Sequence, residues 1–204
     1  MTRERTSNLY QGVPLEQRRA ARRAALIRAA VAVYGERGYR AATVKSVCAA
    51  AGLTERYFYE SFANSEALLV ASYEAVIDAM LGEMRAAVVG APAEARAPAV
   101  LRSYYAMLRR EPEAARVFLV EIAGVSPAVD RVSGAALKAF GLLLDAAVNG
   151  ADASPASPAL LRAGVTGGVI HIALRWIAGG HAEPFDAVVE QAVRLCGTLK
   201  PAAT

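Results

Sequence analysis

Residues 38–68 read GYRAATVKSVCAAAGLTERYFYESFANSEAL, and the spacing inside this stretch decides the fold. Gly38 supplies a left-handed stop for a preceding helix. Thr43 offers a hydroxyl to the free amides of a second helix, which buries Val44, Val47, Cys48 and Ala51 and ends at Gly52. Only Leu53 separates it from a third helix, Thr54 to about Phe62. Two short helices joined around a single glycine cross steeply, which is a helix-turn-helix arrangement. Asn64 then caps a long fourth helix whose apolar stripe, Leu69, Tyr73, Val76, Ile77, Met80 and Met84, persists to Gly90-Ala91-Pro92.

Working outward, a first helix from Leu15 to Arg37 places Ile27, Ala30, Val31 and Tyr34 on one face and leaves Arg18, Arg22 and Arg23 in water. Proline and glycine punctuation marks five more helices: Pro98 to Arg110, Pro112 to Ala123, Pro127 to Asn149, Pro158 to Gly180 and Pro184 to Leu199. No window shows convincing apolar/polar alternation, so the class is all-α with nine helices. Residues 1–14 read as a disordered basic arm, and the polar loop GADASPAS at 150–157 as the best internal candidate for disorder.

Composition narrows the function. The 204 residues are enough for one or two domains. The weakly charged stretch Gly164 to Gly180 carries five glycines and is interrupted by His171 and Arg175, so it falls short of a membrane span. No apolar run follows the N-terminal charges, which predicts a cytoplasmic protein. Cys48 and Cys196 lie far apart and read as buried small hydrophobes. A helical metal enzyme built on His171, His181, Glu183 and Asp186 lacks any histidine pair at i, i+3 or i, i+4, so neither a metal nor a cofactor is expected and the chain reads as a non-enzyme. Charge is uneven: residues 1–62 carry eleven Lys/Arg against five acids, or +6, and the remainder twelve against fourteen, or −2. A basic head on a faintly acidic body points to a polyanion; a solvated charged face is the alternative.

In the third helix Phe58 and Phe62, four apart, share the inner face and leave Glu55, Arg56, Tyr57 and Tyr59 on the flanks and outside. Thr54, Glu55 and Arg56 at its amino end suit base edges in a major groove, where arginine pairs bidentately with guanine and glutamate accepts from cytosine. Glu55 could equally complement the helix dipole, and Tyr57 could pack at the domain edge. Thr43, Lys45 and the Tyr59 hydroxyl suit phosphates.

The whole stretch resembles the DNA-binding domain of the tetracycline-repressor (TetR) family of bacterial regulators. The resemblance rests on Gly38-Tyr39, Thr43-Val44, Ala51-Gly52-Leu53-Thr54, the Tyr59-x-x-Phe62 pair and Asn64-Ser65-Glu66-Ala67-Leu68. Where the family usually shows a phosphate-holding lysine this chain has Ser65. The resemblance implies a helix-turn-helix head over residues 15–63 and an effector-binding and dimerisation body over 64–204. It further implies a homodimer on a palindromic operator, released by a small-molecule effector of unknown identity, with no membrane partner. A DNA-binding regulator without any effector is the second reading.

Dimerisation would use the last two helices, through Val165, Val169, Ile172, Val188, Val189, Ala192 and Leu195, with Gly164, Gly167, Gly168 and Ala173 allowing close approach. For the effector, the candidates are Met84, Tyr104, Tyr105, Phe118, Glu121, Phe140, His171, Arg175 and Trp176, with core packing as the alternative for each apolar one. Glu121 sits in an apolar run and needs a partner or a ligand, and Arg175 is the plausible partner. His171 and Arg175, four apart, share a face that could receive an anionic head group.

Overall fold

The computed structural model describes residues 15–150 and 156–200, so the expected arm at 1–14 and most of the expected loop at 150–157 lie outside the described residues. Among the described residues are nine α-helices and no strand. The head consists of α1 (Leu15–Arg37), α2 (Val44–Ala51) and α3 (Glu55–Tyr59). The body consists of α4 (Ser65–Ala86), α5 (Ala93–Arg110), α6 (Pro112–Arg116), α7 (Pro127–Asn149), α8 (Ala159–Ala178) and α9 (Phe185–Cys196).

Local chemistry explains most boundaries. Thr43 and Ser46 form a reciprocal capping box at the start of α2, with both cap bonds at 3.0 Å. Gly52 closes the same helix at φ 65, a left-handed conformation a Cβ would oppose. Asn64 and Ser126 cap α4 and α7 through their side chains. Two expectations are corrected. α5 begins at Ala93 rather than Pro98, because Pro92 already occupies the cap position and Ala93-Glu94-Ala95 complete the first turn ahead of Pro98. The expected continuous helix 112–123 is broken at Arg116, after which Val117–Glu121 form a π turn. That wider turn buries Val117 and Phe118 while swinging Glu121 toward the head.

One core cluster runs through head and body, from Leu26, Phe58 and Phe62 through the α4 stripe to Phe140, Val169 and Ala192. Gly35 marks a tight seam: a Cβ there would stand 2.3 Å from Glu113 Cα, so α1 and α6 touch backbone to backbone. Where the chain re-enters α8, the buried Asp145 carboxylate accepts from Ala156 N at 3.0 Å, Ser157 N at 3.2 Å and Asn149 Nδ2 at 3.2 Å. By length and mean hydropathy α7 and α8 both reach the range of a bilayer-crossing helix, which corrects the expectation for 164–180, yet each also gives one face to this core.

Burial of tyrosine ties the stability of the fold to alkaline pH. Burial pushes the Tyr73 hydroxyl up to about 12, and drives Tyr34, Tyr104 and Tyr105 upward as well. These folded values lie above that of an unfolded tyrosine, about 10. The neutral phenols therefore contribute stability that is fully present below about pH 10 and is lost as pH rises through the folded values. Absorbance titration should show the four buried tyrosines ionising only together with alkaline unfolding. Smooth ionisation of all eight tyrosines near pH 10 with the far-UV signal intact would contradict this.

Candidate nucleic-acid interface and ligand core

The head orients its third helix from inside. Phe58 is fully buried and Phe62 nearly so, with ring centroids 5.9 Å apart. This leaves Thr54, Glu55, Arg56 and Tyr59 exposed on the other side. Thr54 stands at the helix start with its hydroxyl making no capping bond. Arg56, whose side chain is 84% exposed, is held along the helix by Glu60, with Nε donating to Oε1 at 3.1 Å. Thr43 Oγ1 accepts the Ser46 amide, which leaves its own proton free to donate. Lys45 is exposed beside it.

The α1 arginines depart from the sequence expectation of a purely solvated row. Arg22 lies over the Tyr57 ring at 4.4 Å and within 3.7 Å of Glu60, and Arg23 lies over Phe62 at 4.5 Å. Tyr57 is accordingly half-buried under a guanidinium rather than open on the outer face of α3. No sequence spacing signals these contacts, since α1 and α3 meet only through the fold.

The candidate ligand residues divide into two groups. Met84, Tyr104, Tyr105, Phe118, Phe140 and Trp176 converge in the body core. Tyr104 lies 5.0 Å from both Tyr105 and Phe140 and 6.4 Å from Phe118, between ring centroids. Tyr105 donates to Val169 O at 2.9 Å and Trp176 Nε1 to Glu183 O at 2.9 Å. The Tyr104 hydroxyl, fully buried, has no hydrogen-bond partner among the described residues. The indole of Trp176 is boxed by Tyr105, Phe185 and the edge of His181, which approaches to 4.4 Å.

The other three lie elsewhere. His171 and Arg175 are exposed on the outer side of α8, where they line a cleft that Trp176 and Glu183 also border. Glu121 does not pair with Arg175: its carboxylate accepts from Arg116 Nε at 2.8 Å and from the Tyr39 amide at 2.7 Å, because the π turn points it at the head. The interface residues also turn out differently, since Val165, Val169, Val188, Val189 and Ala192 are all buried within this chain. Ile172 and Leu195 are half-buried. The outer face of α8 instead presents Gly164, Gly167, His171 and Arg175. Among the described residues no cluster of His, Cys, Asp and Glu could hold a metal ion.

Residues 26–71 match the model of the family described as bacterial regulatory proteins, tetR family. No curated protein matches the chain. Among solved structures it is similar to the fatty acid degradation regulator FadR of Bacillus halodurans, at 21% identity and TM-score 0.74, with 88% of this chain and 96% of that one covered. It is similar also to FadR of Bacillus subtilis in complex with stearoyl-CoA, at 18% identity and TM-score 0.73, covering 87% and 99%. A TetR-like transcriptional regulator from Rhodococcus matches at 18% identity and TM-score 0.65, covering 91% and 96%. At these identities the likeness is one of fold.

Proposed function

We propose, from the premise that residues 26–71 make this chain a tetR-family transcription regulator with a DNA-binding helix-turn-helix, that it is a cytoplasmic repressor. It binds a palindromic operator as a homodimer and leaves it when a small apolar effector enters the body. The observation that carries the reading is the orientation of α3: Phe58 and Phe62 anchor one side, so Thr54, Glu55, Arg56 and Tyr59 all face outward from the basic head. A single head offers few base contacts, and single modules of this size bury too little surface for tight specific binding, so two are required.

The dimer is assigned to the outer face of α8 with α9. α8 reaches the mean hydropathy of a bilayer-crossing helix, yet only 28% of that window is buried in the chain. The space around Gly164 and Gly167 is open, with nothing within 4 Å of an added Cβ, which suits the close approach of a second helix. For the effector, the unpartnered Tyr104 hydroxyl inside an aromatic core is a donor waiting for an acceptor. The stearoyl-CoA bound by the Bacillus subtilis neighbour supports a ligand with a long apolar portion.

Selection from a pool of random duplexes tests the reading. Wild type should enrich a palindrome with half-sites spaced by about one helical turn. Arg56→Ala should lose about 1–3 kcal/mol on that operator and relax one position per half-site, whereas Tyr59→Phe should weaken binding alike on all sequences. Enrichment of no sequence by the wild type, or an equal loss by Arg56→Ala on operator and random DNA, would refute base reading by α3.

A further inference from the structure

Between the C-terminal end of α1 and the π turn lies a cleft of about 340 Å³. Its head-side wall includes Arg37, Tyr39 and Arg40, and its body-side wall Arg116, Val120 and Glu121. Three guanidinium groups thus share one lining carboxylate. Only Arg116 is firmly paired, through the 2.8 Å bond to Glu121. Arg37 reaches Glu36 at 3.4 Å with both side chains mostly in solvent, which is a weak contact. Arg40 has no ion pair among the described residues and is exposed.

Glu121 occupies this cleft as an internal anion. Its side chain is 11% exposed, and its two oxygens take one guanidinium donor and one backbone donor, Arg116 Nε and the Tyr39 amide. Gly38, at φ 86, permits this approach: a Cβ there would stand 3.4 Å from both Glu121 Oε2 and Arg116 Nη2. A guanidinium fork beside a backbone N–H is the donor set that recognises a phosphoryl group, and arginine matches that group bidentately.

We propose that this cleft is a binding site for a free, small phosphorylated anion carrying at least two negative charges, which displaces the Glu121 carboxylate from Arg116 and the Tyr39 amide. The surplus of guanidinium groups favours a dianion over the single charge of Glu121. The backbone of a DNA duplex is the poorer occupant, because no residue of α2 or α3 lines the cleft and half of its wall belongs to the body. Exchange would cut the 2.7 Å bond that ties Tyr39 of the head to the π turn, so ligand binding and head mobility become one event.

The test titrates the full chain with inorganic pyrophosphate by calorimetry and follows hydrogen exchange at the Tyr39 amide. One pyrophosphate should bind per chain, and Arg40→Ala should weaken it about tenfold by removing a charge-assisted contact. Arg28→Ala, an exposed α1 residue away from the cleft, should bind as wild type. Glu121→Gln should bind about tenfold more tightly, since the internal competitor keeps its shape and loses its charge. The Tyr39 amide should exchange faster at saturation. Absence of saturable binding, equal weakening by Arg28→Ala and Arg40→Ala, or displacement of pyrophosphate by a random duplex would each overturn the proposal. Should Glu121→Gln fold poorly, the Arg40 and Arg28 pair and the Tyr39 amide still decide the matter.

Discussion

Val169→Asp is expected to unfold the chain. Val169 is fully buried at the meeting of α8 with the Tyr105 hydroxyl, which donates to its carbonyl at 2.9 Å. A carboxylate there would lie in the apolar core beside Tyr105, and burying an unpaired charge costs on the order of 5 kcal/mol, comparable with the whole stability of a domain. The contrasting substitution is Gly167→Glu, on the outer face of the same helix, where nothing stands within 4 Å of an added Cβ. It should melt near the wild type and, if the outer face joins two copies, run as a monomer in light scattering. A soluble, cooperatively melting Val169→Asp protein would contradict the inward assignment of that side of α8.

Gly35→Ala should loosen the head from the body. The added methyl would meet the Glu113 backbone at 2.3 Å, and a backbone cannot rotate away as a flexible side chain can. Alanine gains about 1 kcal/mol of helix propensity over glycine, while overpacking at such a seam costs about 3 kcal/mol, so the steric effect wins. Because α6 leads directly into the π turn, parting α1 from α6 also strains the Tyr39 to Glu121 bond. Urea unfolding should show the lost stability, and hydrogen exchange should show the C-terminal half of α1 losing protection first. Wild-type stability would mean that the helices separate freely at this point.

These two positions show what a sequence can and cannot convey. The head was legible because its boundaries are set by residues whose local chemistry is nearly unconditional: Thr43 and Asn64 as caps, Gly52 as a left-handed stop, and Phe58 with Phe62 as an inner pair. The facing of α8 was hard to read because Val165, Val169, Ile170, Ile172, Leu174 and Ile177 put apolar groups on more than one side, which leaves His171 and Arg175 as a sparse polar mark of the outer side. Glu121 announced itself as a carboxylate in need of a partner, but the partner depended on a π turn, and an extra residue per turn leaves no mark in a 3.6-residue period. Pro98 misled in the opposite way, since a proline that commonly opens a helix stands in the interior of this one.

Trp176 gives the molecule an optical gauge of its own. It is the sole tryptophan, nearly sealed from solvent and clasped by Tyr105 of α5, Phe185 of α9 and His181 just past α8. Its native emission should therefore be blue-shifted, and any event that slides α8 against α5 or α9 will change its colour or brightness. Stopped-flow fluorescence can then time motion within the body without a dye, while a companion signal from labelled DNA times the head.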